Sequence, residues 1–177
     1  MEHDELESFW ADARIRAKIN RVSGYLGVSG KEVLRPPAWS FDGDPGEADA
    51  LLSLVLTGAK TATSSLRSDY GAEGEQLPQY GSLSIVMDST DRPRALLRTT
   101  DVRIVPFDAV DAAHARAEGE GDGSLEHWRA SHAELFAKHS TGTTATDPSR
   151  LVVLEIFEVL VAVPFSGEDA LTPAAAR

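Results

Sequence analysis

Residues 51–66 read LLSLVLTGAKTATSSL, and at Gly58 the pattern of this stretch changes from helix to strand. Its first half places leucine and valine at helical spacing, so the sequence predicts a helix over residues 45–57. Asp44 is a suitable N-cap for this helix, and glycine is the residue that most readily ends one. The second half, residues 61–66, is rich in β-branched and hydroxyl-bearing residues, which favours a strand.

After residue 66, three further segments have the composition of strands, namely residues 83–87, 95–105 and 151–163. Between the second and third of these lies a helical insert. Two helices are predicted there, over residues 107–117 with Asp108 as N-cap and over residues 124–139 with Ser124 as N-cap.

The remaining segments flank this core. Residues 4–19 have apolar side chains at helical spacing and predict an amphipathic helix. Residues 21–40 are rich in glycine and proline, which indicates a connector. The polar segment 67–80 is a long loop of the kind that often carries function.

The chain is acidic and has no cysteine. It carries 28 Asp and Glu against 17 Lys and Arg, a net charge of -11 at pH 7. The lack of cysteine excludes disulfides and thiolate chemistry. The sequence contains no run of about 18 apolar residues, so no membrane-spanning helix is expected. A cytoplasmic protein is the simplest expectation. Because binding to long nucleic acids relies on basic residues, a nucleoside or short RNA is the expected ligand and a long duplex is not.

Four segments resemble the ASCH domain family: GAKTATSSL (58–66), the strand pair LSIVMD (83–88) and RALLRTTDVRIVPFDAVD (94–111), the stretch AEGEGDGSLEHWRASH (117–132), and the strand LVVLEIFEVL (151–160). The resemblance implies an α+β fold, a PUA-like mixed β-barrel with flanking helices and an N-terminal helical extension. It divides the chain into a helix and connector at 1–38, the ASCH domain at 39–165 and a flexible tail at 166–177.

The resemblance also implies a site and a chemistry. Some members remove the acetyl group from acetylcytidine, with a lysine as base, a threonine as nucleophile and a glutamate as acid. These roles fall on Lys60, Thr63 and Glu120, with Ser64 and Glu118 as the neighbouring alternatives. No cofactor is implied.

A threonine hydroxyl needs a base beside it, and a lysine must lose its proton to be that base. A close ion pair between Lys60 and Glu120 would oppose this, as it would oppose protonation of the glutamate. Lys60 at a helix C-terminus also has a purely structural interpretation, because a cation there stabilises the helix dipole.

Further ligand contacts are expected outside these three residues. Trp39 and Tyr70 are expected in loops, where an aromatic ring can stack on a base; for Trp39 a hydrophobic cap of the barrel is an equal alternative. Arg67 and Arg98 are candidates for phosphate contacts, and for Arg98 the alternative is a pair with an acid on a strand. The expected substrate-binding residues are Trp39, Ser64, Arg67, Tyr70, Arg98 and Glu118.

Three alternatives for function remain open at the level of sequence. The first is amide hydrolysis of an acetylcytidine-like nucleoside. The second is a ribonuclease that acts on short single-stranded RNA, with Lys60 stabilising phosphate charge. The third is a non-catalytic RNA- or nucleotide-binding module. No metal site is predicted, because His127, His132 and His139 lack the i, i+4 spacing of a helical zinc pair. Oligomeric state is left open.

Overall fold

The computed structural model of the chain describes residues 2–19, 35–70, 76–138 and 150–165. Within these ranges the chain forms four α-helices, Glu2–Arg16 (α1), Pro45–Thr57 (α2), Ala112–Glu118 (α3) and Leu125–Lys138 (α4), and five strands, Ala38–Trp39 (β1), Ala62–Leu66 (β2), Leu83–Met87 (β3), Pro93–Pro106 (β4) and Leu151–Ala162 (β5). None of the described helices is long and apolar enough to cross a membrane.

The five described strands form one mixed sheet in the order β1-β3-β4-β5-β2. β1 runs parallel to β3, and the other neighbouring pairs are antiparallel. The long strand β4 pairs with both β3 and β5, and its register with β5 shifts at Leu96/Leu97 and at Thr99/Asp101. Such bulges bend a strand and increase its twist. The predicted α+β, PUA-like class is confirmed, and the described strands form an open sheet rather than a closed barrel.

The caps of α2 are those predicted from the sequence. Asp44 accepts hydrogen bonds from the backbone N–H of Gly46 and Glu47, at 2.9 and 3.0 Å, and Glu47 completes a capping box. Gly58 ends the helix with a φ of 78°. This left-handed conformation is one that glycine adopts without a Cβ penalty. The chain therefore turns sharply from α2 into the segment that carries Lys60.

Two predictions about the elements were wrong. β1 lies within the predicted connector, where Ile85 donates a backbone hydrogen bond of 2.9 Å to the carbonyl oxygen of Pro37. The helix predicted from residue 107 is a 3-10 turn over Phe107–Ala109, followed by α3. Val110 is extended, and this interrupts the helix, so Asp111 rather than Asp108 is the N-cap.

Helices pack on both faces of the sheet. α1 places Trp10 and Ala13 against Ile85, Leu96 and Val161. α2 packs its own apolar face on a second group of buried residues, which includes Val86 and Phe157. Residues 21–34 of the predicted connector and the predicted tail, residues 166–177, lie outside the described residues, and the domain division itself stays a prediction.

The insert between β4 and β5 covers the end of the sheet that contains β2. Trp128 and Phe136 of α4 pack with Phe107 against Leu66 and Leu154. This packing holds the C-terminal end of α3 beside the turn that follows α2. The Lys60 segment and the glutamate-rich loop, although far apart in sequence, therefore meet at one place.

Candidate functional site

Lys60 lies in the turn between α2 and β2, and its side chain is only 1% exposed. Its backbone N–H donates to the carbonyl oxygen of Leu54, so the end of α2 holds the turn. Its ammonium group lies 2.9 Å from Oε2 of Glu118 and 2.5 Å from Oε1 of Glu120. The ring of Phe41 lies 5.7 Å from Nζ. Lys60 is therefore a buried cation held between two carboxylates.

A glycine brings the two glutamates to Lys60. Gly119 ends α3 with a φ of 67°, and a Cβ at this position would lie 2.3 Å from the carbonyl oxygen of Ala59. Any side chain here would force the two backbones apart. The backbone N–H of Thr61 donates a hydrogen bond of 2.7 Å to the carbonyl oxygen of Ala117, which joins the two segments.

Glu118 is the hub of a buried polar cluster and is only 1% exposed. Five side chains contact its two oxygens: Ser64 at 2.5 Å, Trp128 at 2.7 Å and His114 at 3.1 Å on Oε1, and Lys60 at 2.9 Å and His132 at 3.5 Å on Oε2. A buried carboxylate is tolerated only when it is paired and hydrogen-bonded in this way.

These contacts fix the charge of Glu118. Burial raises its pKa, but the hydrogen bonds from His114 and His132 and the charge of Lys60 more than offset burial, so the pKa lies well below its ordinary value. An ionised carboxylate accepts protons and has none to donate. Glu120 differs, because its side chain is 22% exposed and Lys60 is the partner it contacts. Of the two glutamates, Glu120 is the one that reaches the open space beside Lys60.

Thr63 and Ser64 project from β2 in different ways. The Ser64 hydroxyl donates to Glu118 and lies 3.0 Å from Nε2 of His114. Thr63 is the next residue along a strand, so its side chain points to the opposite face. Thr63 is half-buried and makes no side-chain hydrogen bond with any described residue. The Ser64 hydroxyl is thus engaged, whereas the Thr63 hydroxyl is free to meet a ligand.

A cleft of about 680 Å³ opens beside these residues. Trp39 and Phe41 line it as an edge-to-face pair with ring centroids 4.9 Å apart. Tyr70 lines it with its hydroxyl 2.7 Å from that of Ser65. The basic and acidic side chains on its described walls are one lysine, one histidine and four acids: Lys60, His132, Asp42, Glu118, Glu120 and Glu155.

Most of the predicted site residues meet in this cleft. Lys60, Thr63 and Glu120 line it, together with Trp39, Ser64, Tyr70 and Glu118. Two predicted residues are not among its lining. Arg67 begins the 3-10 turn after β2. Arg98 lies about half exposed on β4 and donates to Glu158 at 2.6 Å. Pairing with an acid was the alternative to a phosphate contact for this residue.

Sequence reasoning missed several members of the site. His114 precedes Glu118 by four residues on α3, a spacing that places both on one face of a helix. His132 was considered from the sequence only as a metal ligand; it lies on α4 and stacks on Trp128 with ring centroids 4.2 Å apart. Glu155 lines the cleft from β5. In the described part of the chain, no group of three or more metal-ligating side chains has the geometry to hold an ion.

Comparison with known proteins places the chain in a family. The model of the ASCH domain matches residues 37–161. No curated protein matches the chain. The crystal structure of a protein from Enterococcus faecalis is 31% identical, with a TM-score of 0.72 over 92% of this chain and 97% of that one. An ASCH domain from Lactobacillus crispatus is also 31% identical, with a TM-score of 0.65 over 82% of this chain and 94% of that one. The chain therefore belongs to the ASCH domain family.

Proposed function

We propose that the protein hydrolyses the amide of an acylated cytosine nucleoside such as acetylcytidine. The observation that carries the proposal is the placement of Lys60, between Glu118 and Glu120, in the same cleft as the free hydroxyl of Thr63. The cleft volume of about 680 Å³ lies within the range of small-molecule sites. Trp39, Phe41 and Tyr70 offer aromatic surface for a base.

The charge of the cleft favours a neutral nucleoside over a phosphodiester. Four acidic residues and one lysine line it among the described residues. Phosphate groups are bound by an excess of basic residues, and Arg67 and Arg98 do not line this cleft. Ribonuclease activity on short single-stranded RNA is therefore the second candidate, and it is the one that these walls favour less.

The chemistry proposed here begins with a proton transfer between Lys60 and Glu120. Their contact of 2.5 Å is a charge-assisted hydrogen bond. When the proton passes along this hydrogen bond to Glu120, Lys60 becomes an amine and Glu120 a carboxylic acid, which is the neutral form of the pair.

In that neutral form the three residues have complementary roles. Lys60 takes the proton of the Thr63 hydroxyl as its oxygen attacks the acyl carbonyl carbon. Glu120 gives its proton to the departing amino group, so the C–N bond breaks and the free cytosine nucleoside leaves. Water then attacks the acyl-threonine ester and gives up a proton, which releases the carboxylic acid and restores the Thr63 hydroxyl.

A single set of incubations tests this proposal. Purified protein is mixed with acetylcytidine, and free cytidine is measured by liquid chromatography. We expect release by the wild type, no release by Lys60→Met or Thr63→Val, and near-normal release by Arg98→Gln. Parallel incubation with short single-stranded RNA tests the second candidate. RNA cleavage that depends on Lys60, without any cytidine release, would replace the amidohydrolase proposal by the ribonuclease.

A further inference from the structure

Glu155 of β5 lies directly across the sheet from Thr63. The two are backbone partners in the antiparallel pairing of β2 with β5. Side chains of such partners lie on the same face of a sheet, with Cβ atoms about 4.5–5.5 Å apart. Both residues line the cleft. A group that reaches the Thr63 hydroxyl is therefore within reach of the Glu155 carboxyl as well.

The Glu155 carboxyl has one protein partner in the described part of the chain. The hydroxyl of Thr99 donates to Oε1 at 2.5 Å, and Thr99 is itself buried. Three other carboxyls of the region have cations: Lys60 contacts Glu118 and Glu120, and Arg98 contacts Glu158. No described cation contacts Glu155, and its Oε2 accepts no hydrogen bond from a described residue.

We propose that Glu155 binds the ligand, and that its carboxyl forms paired hydrogen bonds with the ring nitrogen and the exocyclic N–H of an aminopyrimidine. This inference rests on the proposed function and adds the residue that recognises the base. An acylated cytosine retains one exocyclic N–H and the unprotonated ring nitrogen next to it. A neutral carboxyl offers one donor and one acceptor, which match these two atoms.

The surroundings of Glu155 shift its carboxyl in the direction of the neutral form. Burial raises its pKa, and the hydrogen bond from Thr99 only partly opposes this. A carboxylate without a cation is costly to bury, whereas a carboxylic acid that meets a donor–acceptor pair is not. Thr99 fixes Oε1, so the carboxyl is oriented before the ligand arrives.

Direct binding tests the role of Glu155 without any need for turnover. Calorimetry compares cytidine with pyrimidin-2-one riboside, which lacks the exocyclic amino group. We expect the wild type to prefer cytidine by roughly tenfold, the value of one good hydrogen bond. Glu155→Leu should abolish the preference. Glu155→Gln should keep most of it, because its amide also offers a donor and an acceptor. Glu158→Gln removes a charge from the same strand outside the cleft and should change nothing.

The outcomes separate this inference from the proposed function. Equal preference for cytidine in the wild type and in folded Glu155→Leu would overturn the role of Glu155, while release of cytidine from acetylcytidine would leave the proposed function standing. A wild type that neither binds cytidine nor hydrolyses acetylcytidine would overturn both. Circular dichroism of each variant confirms that it is folded, and Glu155→Gln serves if the leucine variant is not.

Discussion

The Glu118→Leu variant should lose much of the stability of the protein. The substitution removes the hub carboxylate and leaves Lys60 buried, with Glu120 as its remaining partner. Removing one partner of a buried ion pair costs about 3–5 kcal/mol. For a chain of this size each kcal/mol lowers Tm by about 2–4 °C, so Tm should fall by roughly 6–20 °C. Scanning calorimetry and urea unfolding both measure the loss.

Two further variants make this prediction specific. Replacing both partners, as in Lys60→Met with Glu118→Leu, removes the stranded charge and should recover part of the loss. Glu158→Leu removes a carboxylate from the exposed pair with Arg98 and should cost no more than about 1 kcal/mol. If Glu118→Leu loses no more stability than Glu158→Leu, the buried Glu118 carboxylate does not stabilise the site.

The stability lost in Glu118→Leu should depend on pH. The pKa of Glu118 in the folded protein lies well below its ordinary value of 4.5. A group with a depressed folded pKa stabilises fully above its unfolded pKa and loses that contribution as the pH falls through the folded pKa. The stability difference between wild type and Glu118→Leu should therefore shrink as the pH falls below about 4. A difference that grows towards acid pH would contradict the assigned charge.

Three other predictions concern the frame of the site. Gly119→Ala should lower Tm more than Gly58→Ala in calorimetry. Both glycines are helix C-caps with positive φ, but only at Gly119 would the new Cβ meet a backbone oxygen, at 2.3 Å. Equal losses of Tm would refute the close approach. Asp44→Ala should cost about 1 kcal/mol in urea unfolding without changing cytidine release, since it removes only the α2 cap. Arg98→Gln should leave both Tm and activity within error, since its pair is exposed; a large loss of activity would place Arg98 in the site after all.

Much of the fold was predictable from local pattern. The caps of α2 and the four longer strands follow from composition, alternation and turn residues. β1 was not predicted, because a strand of two residues is too short to show a periodic pattern and its pairing with β3 is a tertiary contact. Asp108 was the wrong cap because the sequence does not reveal that Val110 is extended. A cap is predictable only when the first turn of the helix is placed correctly.

The site was predictable in its identities but not in its arrangement. Lys60 and Glu120 were named from the family resemblance, and they lie 60 residues apart in the chain. That Glu118 is the buried hub and Glu120 the accessible partner depends on how α3 and α4 pack against β2. The role of Glu155 depends on strand register. The burial of Glu118 and the strand register of Glu155 depend on how the whole domain packs, so they cannot be predicted from a local motif.

The most direct test of the central claim is the detection of an acyl group on Thr63. Acetylcytidine is mixed with the enzyme, and the reaction is quenched in acid within its first turnover. The tryptic peptide that contains Thr63, which is residues 61–67 in the wild type and longer where Lys60 is replaced, is sequenced by mass spectrometry. We expect an acetyl group on Thr63 in the wild type and none in Lys60→Met. An acetyl group on Ser64 instead, or cytidine release with no acetylated peptide in time-resolved samples, would contradict the assignment of Thr63 as nucleophile.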